Sequence, residues 1–100
     1  MNYLLVAPTL SAPTLETVKE LSSKVFSKIE KLLKKFGEEG CVVKISVLKD
    51  GNSYKVNVEL LNHKLYKPFI AFRDSDLRRA IGMSAVKLKA QLLNLHNRNK

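Results

Sequence analysis

Acidic residues are scarce in this chain of 100: nine Asp and Glu stand against eighteen Lys and Arg, leaving a formal net charge of +9 and an isoelectric point near 9.9. Clustered cations repel one another unless a polyanion takes up their charge, so nucleic acid is the leading class of partner. Cysteine is almost missing. The single Cys41 cannot close an internal disulfide and lacks the Cys and His neighbours of a zinc site; at the head of an apolar run it reads as a small buried hydrophobe in a reducing compartment. No apolar run approaches a membrane span, and Tyr3-Leu4-Leu5-Val6-Ala7 has no basic segment before it. The expectation is a cytoplasmic, unprocessed chain with no membrane partner. Glycine-rich phosphate loops, nucleophile elbows and metal-ligand spacings are absent too. His63 falls in a predicted turn and His96 near a frayed C-terminus, while Asp74 and Asp76, directly before a helix, read as caps and not cation ligands. The chain is therefore expected to be no enzyme, with no catalytic residue, metal or cofactor.

What is present is 45% apolar content with 27% charged, enough for one modest core and one domain, residues 1–100. A short strand is predicted over residues 2–7, closed by Pro8 and a loop through Pro13. A helix should start near Thr14, with Glu16 and Glu20 in its early turns, Lys34 and Lys35 in its last, and Gly37 as its stop. Val42, Val43, Ile45 and Val47 mark a strand within residues 41–49, and Asp50-Gly51-Asn52 is hairpin chemistry. Tyr54, Val56, Val58 and Leu60 then alternate with Lys55, Asn57 and Glu59, so one face is buried and one wet. A turn at Asn62-His63 leads to a strand over residues 65–73, irregular where Pro68 stands, which completes an antiparallel meander. Leu77, Ile81, Leu88, Leu92 and Leu95 mark a second helix, with Gly82 its weak interior point. The order is β-α-β-β-β-α: an α+β sandwich with two helices on one face of a four-stranded sheet.

Charge is patterned on both helices. Lys24, Lys28, Lys31 and Lys35 recur at spacings of four, three and four, which puts them in one stripe. The helical period gathers Val18, Leu21, Val25, Ile29, Leu32 and Phe36 on one face, and the stripe is expected along its flank instead of opposite it. The second helix carries Arg78, Arg79, Lys87 and Lys89, and Arg98 follows with Lys100. Helices packed side by side could merge these cations into one surface wide enough for several phosphates. Most of Tyr3, Tyr54, Tyr66, Phe26, Phe36, Phe69 and Phe72 fall at positions expected in the core, so recognition by backbone and shape is preferred to single-strand stacking.

The segment Lys24 followed by Lys28-Ile29-Glu30-Lys31-Leu32-Leu33, and Asp76-Leu77-Arg78-Arg79-Ala80-Ile81-Gly82 with Lys87-Leu88 and Gln91-Leu92 after it, resembles the ribosome hibernation-promoting factors, the family of the ribosome-associated inhibitor protein Y. The resemblance runs in order over nearly the whole chain. It departs at Arg78, where the family usually has tyrosine, at Gly82, where it has aspartate, and at Ala90, Leu93, Asn94 and His96, where basic residues are common. It implies a β-α-β-β-β-α domain that binds small-subunit rRNA in the channel of mRNA and the tRNA anticodon arms, silencing idle ribosomes in starvation or stationary phase. The candidate rRNA-binding residues are Lys24, Lys28, Lys31, Lys35, Arg78, Arg79, Lys87, Lys89 and Arg98. Of the second-helix cations, Lys87 matches a family position, which favours its flank, shared with Arg79. The chain resembles the family's short class, a monomer off the ribosome, for which ribosome pairing would need a second hibernation factor.

Two other readings compete. A double-stranded RNA-binding domain shares the α-β-β-β-α portion, but usually opens its last helix with a lysine cluster where this chain has Asp74 and Asp76. A basic protein-interaction or membrane-surface module would spend the lysines on acidic partners or lipid.

Overall fold

The computed structural model describes residues 3–37, 40–62 and 69–98. Strand β1 (Tyr3–Val6) ends just before Ala7-Pro8, and helix α1 (Ala12–Lys35) begins after Ser11, an extended N-cap residue. This start precedes the expected Thr14. Pro13 lies in the first turn, where a missing N–H costs nothing because that donor has no intrahelical acceptor, so the proline opens the helix instead of belonging to the loop. Glu16 and Glu20 accordingly fall beyond the first turn, which holds no acidic residue. At the other end Lys34 and Lys35 occupy the last turn, and Gly37, with φ +76°, donates its N–H to the Lys34 carbonyl at 3.2 Å. That left-handed conformation is the one glycine supplies at a helix stop.

Strands β2 (Val42–Asp50) and β3 (Ser53–Leu61) pair antiparallel from Val42 opposite Leu61 to Asp50 opposite Ser53. Only Gly51 and Asn52 connect them, and Gly51 takes φ +60°, as the first central position of a type II′ hairpin requires. Strand β4 (Phe69–Asp74) pairs antiparallel with β3, and β1 adds parallel to β2 with α1 as the crossover, giving the order β1-β2-β3-β4. The meander and the α+β layering are as the alternation implied. Asn2, His63, the start of the expected last strand at residues 65–68 with Tyr66 and Pro68, and Lys100 lie outside the described residues.

Helix α2 (Leu77–Arg98) is opened by Asp76, whose Oδ1 accepts the N–H groups of Arg78 at 2.9 Å and Arg79 at 3.3 Å. Asp74 Oδ1 accepts the Asp76 N–H at 2.8 Å. Both carboxylates thus hold backbone, as their place before the helix implied.

Val43, Ile45 and Val47 from β2, and Val56, Val58 and Leu60 from β3, point to the helices and are buried. Cys41 is also in this core, its thiol donating to the Asn62 carbonyl at 3.6 Å. Small residues at Ala80, Ser84 and Ala85 let α2 lie close over β3 and β4 and against α1.

Candidate nucleic-acid interface

The deepest line of α1 is Val18, Ser22, Phe26, Ile29 and Leu33, whereas Leu21, Val25, Leu32 and Phe36 are only partly buried. At about 100° per residue this line is turned roughly 60° from the face expected from the apolar pattern. The apolar arc is wider than that pattern, because Ser22 lies in its middle and Phe26 and Leu33 on its far side. The lysine stripe consequently lies roughly 150° from the deepest line, and it borders only the half-buried edge of Leu21 and Leu32. This corrects the expectation that it flanks the core. Lys24, Lys28, Lys31 and Lys35 are all exposed, and among the described residues none of them is in an ion pair.

Both helices run opposite to β1, since β4 is parallel to β2 and α2 returns across it; α1 and α2 are therefore parallel, and their C-terminal ends meet. There the rings of Phe36 and His96 stack with centroids 3.8 Å apart and planes within 3°. His96 is thus packed against α1, not frayed. It also orients α2: Arg78 lies on the same line of the helix as His96, and Lys89 about 20° from it. These two exposed cations face the α1 side of α2. Lys87 lies on the opposite flank, about 180° from His96. Its ammonium sits over the Phe72 ring of β4 at 4.8 Å, and Arg79 Nε meets Asp74 Oδ2 at 3.2 Å. Arg98 is exposed on the last turn. The candidate residues of α2 therefore divide: Arg78 and Lys89 lie on its α1 side, whereas Arg79 and Lys87 make contacts with β4 and its end.

Cations on the strands were not singled out as site residues. Lys55 and Arg73 share the sheet face turned away from the helices, with Lys44 bridged to Glu59 at 3.6 Å on the same face. Period-two alternation alone placed Lys55 there, and that was the available signal.

No protein-family model matches the sequence, and no curated protein does. In three dimensions the chain is similar to the crystal structure of the N-terminal domain of Thermus thermophilus Protein Y, with TM-score 0.75 and 14% identity over 95% of this chain and 99% of that one. The chain has the Protein Y N-terminal-domain fold. The short motifs on the two helices resemble the family that includes protein Y, and the fold agrees with that resemblance across all six elements.

Proposed function

We propose that this protein is a ribosome hibernation factor that binds the rRNA of the small subunit in the channel of mRNA and tRNA anticodon arms, during starvation or stationary phase. The observation that carries the reading is the row of exposed lysines on α1, in no ion pair among the described residues, on a domain with the Protein Y N-terminal fold; Arg78 and Lys89 add exposed cations on the α1 side of α2. A lysine ridge without carboxylate partners is suited to successive phosphates, which fix position without reading bases. The protein acts by occupancy, without chemistry, in the cytoplasm.

Sedimentation through sucrose with purified small subunits, set against free duplex RNA, tests this reading. Selective co-sedimentation with the subunit is expected. The variant with Lys24, Lys28 and Lys31 all changed to alanine should bind more weakly while remaining folded, and each lost phosphate contact should lower the slope of log affinity against log salt by about 0.7 to 0.9. An unchanged affinity and slope would leave the stripe as a merely solvated face. Preference for the free duplex would point to a double-stranded RNA-binding domain.

A further inference from the structure

The sheet has a second face. Phe69, Ala71 and Arg73 alternate onto the side away from the helices, and no described element covers them; Phe69 is 52% exposed, against the expectation that the aromatics are spent on the core. The register sets Lys55 directly opposite Arg73. Like charges across neighbouring strands destabilise a sheet, and little here offsets them. Arg73 meets Asp50 at 3.1 Å, but both side chains are more than half exposed, where an ion pair contributes little. Glu59 is engaged by Lys44, and Lys55 has no carboxylate partner among the described residues.

We propose that this corner of the open face binds single-stranded RNA, with a base stacked on Phe69 and a phosphate seated between Lys55 and Arg73. The phosphate supplies the charge that the paired cations lack. Phe69 and Arg73 lie about 13 Å apart along β4, a span that a short single strand bridges, and Ala71 between them leaves the sheet low. Stacking on a ring beside a cationic track accepts any base, because every base has a flat π-face. The aliphatic residues exposed on this face, Leu4, Val6 and Leu48, belong to β1 and the end of β2. Phe69 therefore stands apart from them; its cross-strand neighbour is Glu59, which Lys44 engages at 3.6 Å, and it is the Lys55 and Arg73 pair further along β4 that favours RNA over an apolar protein surface. This site is separate from the helix groove and does not rest on the ribosomal reading.

The test is fluorescence anisotropy of a labelled oligouridylate of about twelve nucleotides with the full chain at low salt. Phe69→Ala is expected to weaken binding roughly tenfold. Lys55→Glu should lower both affinity and salt slope while raising the melting temperature, since it places opposite charges across the strands. That opposition of binding and stability is a signature no structural role for Lys55 would give. The α1 triple-alanine variant should keep most of the oligonucleotide affinity. Absence of binding by the unaltered protein overturns the proposal, as does binding lost with the α1 lysines but untouched at Phe69 and Lys55. Loss at Lys55 without loss at Phe69 overturns the stacking and leaves bare electrostatic attraction.

Discussion

Ser22 is polar, wholly buried and on the deepest line of α1, and among the described residues its hydroxyl has no hydrogen-bond partner. An unpaired buried hydroxyl carries a desolvation cost with nothing to offset it, whereas alanine keeps the small volume that the helix packing uses. Ser22→Ala is therefore expected to stabilise the fold by about 1 kcal/mol, read as a higher urea midpoint at unchanged slope. A loss of stability would reveal a partner for the hydroxyl. Ser84, equally buried, donates to the Ile81 carbonyl at 2.7 Å and should not behave this way. These residues also mark where sequence reading stopped at this scale. Cys41 and Asp76 were legible because their signals are local: a small apolar residue heading a β-branched run, and a carboxylate just before a helix. Ser22 and Ser84 gave no such signal, since a serine on a helix reads as surface until a neighbouring element is known to lie against it.

At the scale of elements, the wheel of α1 was legible in period but not in phase. Counting a single apolar line that left out Phe26 and Leu33 placed the face at Leu21, Val25 and Leu32, and the structure gives that flank only partial burial. The lysines remain a stripe after this rotation, yet they stand further from the core, and the cations that α2 turns toward α1 are Arg78 and Lys89. The sequence resemblance ranked Lys87 and its neighbour Arg79 first, whereas the geometry turns these two toward β4, where Phe72 and Asp74 engage them. Charge reversal at Arg78 with Lys89 is accordingly expected to weaken ribosome binding more than reversal at Arg79 with Lys87, compared at one salt concentration with folding checked by circular dichroism. Equal losses would mean that long-range attraction dominates. The reverse order would put the docking face on the β4 side of α2.

For the whole molecule, the topology was readable because each strand and helix declared itself by its own period, and hairpin chemistry at Gly51 left β2 and β3 one way to pair. The parallel placement of β1 was not declared, since a four-residue apolar strand fits either edge and either direction until the crossover helix is laid down. The outcome is a domain with two unlike surfaces: a cationic helix groove, and an open sheet face with an exposed ring, Phe69, at one end of β4 and Arg73 with Lys55 toward the other. If the groove binds rRNA where mRNA and anticodon arms pass, inhibition arises from exclusion and follows mass action. In a purified translation system the protein should then block a short message, and excess mRNA with initiator tRNA should partly relieve the block by competing for the same channel. The midpoint of inhibition should rise with the concentration of those ligands, and the α1 triple-alanine variant should need more protein for the same block. Inhibition that ignores added mRNA and tRNA would place the protein outside the channel, and cleavage of rRNA or consumption of a nucleotide during the block would show an enzyme instead of a plug.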